Sequence, residues 1–294
     1  MKRLLLGDEA IAQGAIDAGL SGVYAYPGTP STEITEYIQL SESRKLKVEN
    51  SEAKIFCQWA TNEKTAMEAA LGMSYMGKRA LVCMKHVGVN VCADAFMNAA
   101  ITGVNGGLVV LAADDPSMHS SQNEQDSRNY AIASKIPMFE PSDSDEARRM
   151  VREAYEVSEK YDTPVLFRIC TRAAHSQSLV NEEDRREPVT VPYEKKPAKY
   201  VMMPASAIGR HLVVEERDNK LQEDSCSFPI NKMEIKDVDN GLKLKLINFN
   251  NPIGIATTGH IPFATANGKS VYVSFAVYSI SKTKVLHYNI YTEQ

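Results

Sequence analysis

Glu63 is the residue whose type and setting first suggest chemistry. It opens the stretch Asn62-Glu-Lys-Thr-Ala-Met-Glu-Ala-Ala-Leu-Gly72, which is otherwise made mostly of small and apolar residues. Asn62 is a good helix N-cap, and Ala66, Met67, Ala70 and Met73 follow at helical spacing. A carboxylate on the core-facing edge of such a helix is costly to bury without a partner. Glu68 lies roughly 140° further around the helix, so the two acids cannot share one site. One of them belongs to the surface and the other is available for chemistry. By helix position alone, Glu63 could equally do no more than complement the helix dipole.

Three further segments place reactive side chains where short apolar runs end. Tyr26-Pro27-Gly28-Thr29-Pro30-Ser31-Thr32 follows the first such run; its prolines and glycine set a tight turn, and Ser31 or Thr32 can cap the next helix. A well-made strand-to-helix turn needs no ligand, so this pattern alone does not establish one. Lys85 and His86 end a second run and precede Gly88, where backbone could approach a ligand closely, although a lone histidine is commonly satisfied structurally. From Asp114 to Arg128, with His119 between them, the chain is polar and aperiodic, as in a binding loop or an exposed connection. P-loop and dinucleotide glycine patterns are absent. No zinc or iron–sulfur cysteine spacing occurs, so no metal ligand set is expected in this chain.

The elements that must position these residues read as an α/β fold. Apolar runs at 23–26, 80–84, 108–113 and 165–170 alternate with helical patterns at 8–18, 31–40, 63–76, around 93–101, and 143–161. Such alternation predicts a largely parallel sheet covered on both faces, with ligands at the carboxyl ends of the strands. Ser142-Asp-Ser-Asp-Glu146 is a capped helix start with acids in its first turn. After residue 180 a charged, proline-containing linker leads to a helical pattern at 205–223, and strand-like runs follow at 242–249, 253–256, 271–277 and 285–290. The expected domains are 1–180, a linker with a helix over 181–241, and a short, incomplete α/β or β-rich segment over 242–294.

Composition narrows the functional classes. The chain has 294 residues, 44% of them hydrophobic, and a net charge of −4 with mixed signs, which leaves no electrostatic footprint for nucleic acid. The Lys/Arg pairs at 78–79, 148–149 and 195–196 are expected on the solvated surface. Five cysteines, mostly in apolar runs, read as reduced buried thiols of a cytoplasmic protein. No run approaches the ~18 apolar residues of a membrane span.

Several long strings resemble the thiamine-diphosphate-dependent 2-oxoacid:ferredoxin oxidoreductases, and within them the indolepyruvate-type α subunits. They are Tyr26-Pro-Gly-Thr-Pro-Ser31, Asn62-Glu-Lys64, Lys85-His-Val-Gly88, Thr102-Gly-Val-Asn-Gly-Gly107, Ala113-Asp-Asp-Pro116 and His119-Ser-Ser-Gln-Asn-Glu-Gln-Asp126. The likeness continues through Ile136-Pro-Met-Phe-Glu-Pro-Ser142, Lys196-Pro-Ala-Lys-Tyr-Val201 and Val214-Glu-Glu-Arg217 to about Gly259. It implies a three-layer, parallel-sheet domain over 1–180 that binds the pyrimidine half of thiamine diphosphate.

In that family a glutamate at the position of Glu63 faces N1′ of the aminopyrimidine and shares a proton with it. The resemblance places Tyr26, Pro27, Lys85 and His86 around the cofactor. Thr29, Arg128 and His119 fall beside the substrate. It implies oxidative decarboxylation of an aryl 2-oxoacid to an acyl-coenzyme A, with electrons passing through iron–sulfur clusters to ferredoxin. Another 2-oxoacid is the alternative substrate, and a non-catalytic binding fragment the alternative role.

Three departures qualify the resemblance, one being the absence of the ferredoxin-like cysteine clusters of the family's α subunit. The family's Gly-Asp-Gly diphosphate motif, which with a downstream Asn holds Mg²⁺, is missing; the only Gly-Asp is Gly7-Asp8. From about residue 261 the tail no longer follows the family, so 242–294 would be the start of a transketolase-carboxyl-terminal-like segment with a divergent end. The resemblance therefore implies a truncated or split enzyme in an oligomer. Its diphosphate half, β subunit and iron–sulfur clusters would lie on other chains, and this chain would be inactive alone.

Overall fold

A computed structural model describes residues 2–45, 54–181, 186–188, 190–225 and 228–230, and the backbone of five strands beyond residue 231. The first part of the chain runs β1 (Lys2–Leu6), α1 (Gly7–Asp17), β2 (Gly22–Ala25), α2 (Thr32–Lys45), β3 (Phe56–Trp59), α3 (Glu63–Tyr75), β4 (Ala80–Lys85), α4 (His86–Thr102) and β5 (Leu108–Asp114). It continues with α5 (Arg128–Ser134), β6 (Met138–Phe139), α6 (Ser144–Tyr161), β7 (Val165–Cys170), α7 (Thr171–Ala174), β8 (Gln177–Asn181), α8 (Pro197–Tyr200) and α9 (Pro204–Ser225).

Six strands form one parallel sheet in the order β3-β2-β4-β5-β7-β6. Side chains alternate across it as the pleat requires. Leu81, Cys83, Val109 and Leu111 join the core shared with α1, α2 and α6, whereas Val82, Met84, Val110 and Ala112 join the core shared with α3 and α4. Both faces are buried, which is why β4 and β5 are continuous apolar runs rather than alternating ones. The strand order reverses between β2 and β4, because β3 lies on one side of β2 and β4 on the other. A crevice at the carboxyl ends of β2 and β4 is where such a sheet receives a ligand.

Helix ends follow their sequence signals. Asn62 caps α3 by accepting the Thr65 N–H at 2.9 Å. Asp143 caps α6 by accepting the Glu146 N–H at 2.9 Å, and the Glu146 carboxylate returns to the Ser142 N–H at 2.9 Å. The helix expected around 93–101 begins earlier, at His86, directly from the end of β4. β1 and β8 form a separate antiparallel pair.

Two of the basic pairs expected on the surface each send one member inside. Arg148 is 2% exposed and its guanidinium meets Asp17, also buried, across the α1–α6 contact. Neighbours on a helix point about 100° apart, so Arg149 faces out and pairs with Asp145 at 3.1 Å. Arg79 is buried too, held by both Glu159 carboxylate oxygens at 2.7 Å and by the Ala18 carbonyl at 2.6 Å. Lys78, Lys195 and Lys196 are exposed, as expected.

Residues 190–192 and α9 lie toward the opposite end of the sheet from the crevice. The Val191 N–H donates to the Gly77 carbonyl at 2.8 Å, and α9 is fastened by Arg217, which donates to the carbonyls of Asp162 and Ala100 at 2.9 Å each. Beyond residue 231, β9 (Lys232–Val238) pairs with β10 (Gly241–Asn248), and β11 (Gly259–Ala266), β12 (Lys269–Phe275) and β13 (Asn289–Thr292) form a three-stranded antiparallel sheet. The run expected at 253–256 lies outside the described residues. Among the described residues no helix is long and apolar enough to cross a membrane. Cys83 and Cys92 are buried, Cys57 and Cys170 half-buried, and all four are free; Cys226 lies outside the described residues.

Candidate functional site

The carboxyl edge of the parallel sheet gathers most of the candidate residues because they lie at the end of a strand or in the segment that follows it. After β2, the turn at 26–31 closes on itself. The Ser31 N–H and hydroxyl both donate to the Gly28 carbonyl at 2.8 Å, and the Gly28 N–H donates to the Thr32 hydroxyl at 2.8 Å. Gly28 is required there for space, since a Cβ would lie 2.7 Å from Cγ and Cδ of Lys85. The Lys85 stem thus lies against the turn, and its ammonium donates to the Ser120 carbonyl at 2.9 Å. The Ser120 hydroxyl in turn reaches the Thr29 carbonyl at 3.4 Å.

His86 is fully buried at the first position of α4. Its Nε2 lies 3.1 Å from the Asn123 carbonyl and 3.0 Å from Asn123 Oδ1, while Nδ1 has no partner among the described residues. Nearby, Asn90 and Gln125 exchange two amide hydrogen bonds of 2.9 Å, and the Tyr130 hydroxyl joins them at Asn90 Oδ1. The loop between β5 and α5 is therefore docked on α4.

Two buried aspartates at the end of β5 hold the rest of that loop. Asp115 accepts from the Ser120 N–H at 2.8 Å, the Ser121 hydroxyl at 2.7 Å, the Thr171 hydroxyl at 2.9 Å and the His119 N–H at 3.2 Å. Burial by itself would raise the Asp115 carboxyl, but these donors outweigh it and hold the group well below the usual carboxylate range. Asp114 accepts from the Ser127 N–H at 3.0 Å and from Arg168 Nε at 2.7 Å, and Arg168 also pairs with Glu140.

Glu63 sits in the first turn of α3, 8% exposed, and faces the first turn of α4. A Cβ on Gly88 would lie 2.6 Å from both Cγ and Oε1 of Glu63, so the carboxylate rests on bare α4 backbone. Among the described residues it makes no hydrogen bond or ion pair. Cys92, one helical turn beyond Gly88, has its thiol pushed up to about 12 by burial and then by the Glu63 charge. Glu68, by contrast, is exposed and lies 3.9 Å from Lys64, as its place around the helix predicts.

The structure thus brings together Glu63, Lys85, His86 and the turn carrying Tyr26, Pro27 and Thr29. Tyr26, Pro27 and Thr29 are exposed at this edge. His119 is also exposed and contributes its backbone to Asp115. Arg128 is engaged elsewhere, with Nε donating to both Asp126 oxygens at 2.8 and 3.0 Å. Asn123, Asp115 and Arg168 were not evident from sequence. The Asp114-Asp115 doublet at a strand's end was the one available signal.

Residues 13–233 match a family model described as pyruvate flavodoxin/ferredoxin oxidoreductase, thiamine diphosphate-binding. This chain belongs to that family. The indolepyruvate oxidoreductase subunit IorA of Pyrococcus abyssi is 43% identical over 79% of the chain and 35% of its own length. The subunit of the same name from Pyrococcus horikoshii is 41% identical over 79% of the chain and 36% of its own length. The chain therefore spans about a third of the length of these relatives. The fold is also that of a 2-oxoglutarate:ferredoxin oxidoreductase from Magnetococcus marinus, with a TM-score of 0.60, 19% identity, and coverage of 81% of this chain and 47% of that one. Residues 216–293 match a second family model, a domain of unknown function (DUF6864). It covers the segment where a transketolase-carboxyl-terminal-like start was expected.

Proposed function

We propose that this chain supplies the aminopyrimidine-binding half of a thiamine diphosphate site in a 2-oxoacid:ferredoxin oxidoreductase acting on aryl 2-oxoacids of the indolepyruvate class. The observation that carries this reading is the seat of Glu63, a nearly buried carboxylate lying on Gly88 with no partner among the described residues. A carboxylate so nearly covered has little room for water, and a ligand donor can complete it. A flat ring nitrogen fits that need, because Gly88 adds no side-chain bulk against the carboxylate.

When bound, the cofactor supplies an electron sink for decarboxylation of a 2-oxoacid. Glu63 would hold a proton at Oε1 or Oε2 against the pyrimidine ring, and its docking on α4 would keep that proton aimed. The neutral Cys92 thiol, packed against Met84, gives the surroundings of Glu63 a low polarity that would strengthen such a bond. Lys85 ties the Thr29 turn to the 115–127 loop, so these two segments would present the substrate carboxylate to one rigid edge. Diphosphate, Mg²⁺, iron–sulfur clusters, coenzyme A and ferredoxin would be handled by other chains of the complex.

The test is reconstitution with a diphosphate-binding half and an iron–sulfur subunit. Oxidation of indolepyruvate with a low-potential acceptor is expected, faster in kcat/KM than oxidation of pyruvate. Glu63→Gln should abolish it; activity retained by that variant would remove Glu63 from the chemistry.

A second reading, a chain that associates and binds without turnover, is favoured by the second family model, of unknown function, matched at 216–293. Calorimetry of the isolated chain with thiamine diphosphate and Mg²⁺ separates binding alone from no binding. The reconstituted assay decides turnover.

A further inference from the structure

We propose that Asp8, Glu33 and His175 form a site for one divalent transition-metal cation, Mn²⁺ or Zn²⁺, on the α1–α2 side of the sheet. One ligand atom from each residue lies within 4.8 Å of the other two. Asp8 has no exposed surface, and neither of its carboxylate oxygens has a hydrogen-bond partner among the described residues. Glu33 Oε2 is buried and unpartnered as well. No described lysine or arginine pairs with Asp8 or Glu33. The two carboxylates repel each other; the helix N-termini they sit on offset part of that charge, but no described lysine or arginine does, and with Asp8 wholly buried and unpartnered the geometry points to a missing cation.

The backbone explains why Asp8 cannot turn away. Gly7 lies so close to α7 that a Cβ would be 2.1 Å from the Ala173 carbonyl, and its N–H donates to the Ser176 carbonyl at 3.0 Å. The start of α1 is therefore clamped against the segment that carries His175. Glu9, the next acid, is already used, accepting the Leu6 N–H at 2.9 Å.

Three ligand atoms about 2.0–2.2 Å from one cation stand roughly 3.0–3.8 Å apart, so side-chain adjustments on the order of 1 Å would close the site. His175 is exposed, which gives the ion a route from solvent and leaves room for water ligands. Two carboxylates with one imidazole suit Mn²⁺ or Zn²⁺ better than Mg²⁺ or Ca²⁺, which favour all-oxygen sets. The three residues are far apart in sequence, so no spacing motif reveals them. Glu33 belongs to the first turn of α2, immediately after the turn that carries Thr29. A bound ion would tie the base of that turn to α1 and α7.

The experiment uses the full chain, stripped with chelator and free of thiamine diphosphate. Mn²⁺ is titrated by electron paramagnetic resonance and Zn²⁺ by calorimetry. One equivalent per chain is expected, with Tm raised by roughly 5 °C at a hundredfold excess over Kd. Asp8→Asn should lose the binding while keeping at least the wild-type Tm in chelator, since it removes a buried, unpartnered charge. His175→Ala, at an exposed position, should bind at least tenfold more weakly and remain folded. The proposal is overturned if the wild-type chain binds neither ion, or if His175→Ala binds as tightly as wild type.

Discussion

The Glu63 carboxylate rests on the α-carbon of Gly88, where a methyl group would stand 2.6 Å from Cγ and Oε1. That contact joins the first turns of α3 and α4 and explains how an acid can be both nearly buried and held in place. Gly88 therefore acts on the site through Glu63.

Gly88→Ala tests the relationship directly. In the first turn of a helix this change alone favours the folded state by less than about 1 kcal/mol, the value for a helix interior. Forcing a methyl into Glu63 costs about 1–3 kcal/mol, so overpacking wins and a net loss of stability is expected in urea titrations. In the reconstituted enzyme we expect kcat to fall at least about tenfold, because a displaced carboxylate no longer meets its ring nitrogen. A variant as stable and as active as wild type would show that the seat is unimportant.

His86→Ala should free the 115–127 loop from α4. The side chain is fully buried and its Nε2 engages Asn123 twice, so the change removes packing and hydrogen bonding worth about 2–3 kcal/mol locally. Hydrogen exchange read by mass spectrometry should show faster exchange in residues 115–127 and little change in β7. Uniform exchange changes throughout the domain would indicate a global effect instead.

Asp115 carries a pH dependence whose sign follows from its depressed carboxyl. A carboxylate held below its unfolded value of about 3.9 contributes stability that is fully present above that value and is lost as pH falls through the folded one. Asp115→Asn should destabilise the chain by about 2 kcal/mol at pH 7, since the four donors lose a charged acceptor. The gap between wild type and variant should stay level from pH 7 to about 5 and shrink below about 4. A gap that widened in acid would contradict the sign.

Strands β2, β4, β5 and β7 were legible because each is an apolar run stopped by turn-forming or polar residues, as buried parallel strands must be. β3 was not. Phe56-Cys-Gln-Trp59 sits at the sheet edge, with its side chains at best half-buried, and so lacks the apolar run. The start of α4 was missed because Val87-Gly-Val89 reads as strand-like and Lys85 caps the helix without a side-chain bond. At the site, Glu63 was visible through its Asn62 cap and the small residues behind it. Asn123 was not, since its role depends on a loop folding back onto His86, and no local period encodes that. The cation candidates escaped for the same reason: Asp8, Glu33 and His175 meet only in the fold.

The basic pair Arg148-Arg149 turns that lesson into a measurement. Both looked like surface charges, yet Arg148 is 2% exposed against a buried Asp17, whereas Arg149 faces solvent beside Asp145. Removing one partner of a buried pair strands the other charge and costs about 3–5 kcal/mol. Losing an exposed pair one helical turn apart costs about 0.5 kcal/mol or less. Arg148→Ala should therefore lower the urea midpoint severely, and Arg149→Ala should leave it nearly unchanged. The pairing with Asp17 predicts one thing more. Arg148→Met with Asp17→Leu should recover much of the loss, because replacing both charges by apolar volume leaves no buried charge unpaired. A double variant as unstable as Arg148→Ala alone would mean that Arg148 matters through its other contacts, such as the Asn181 carbonyl, rather than through Asp17.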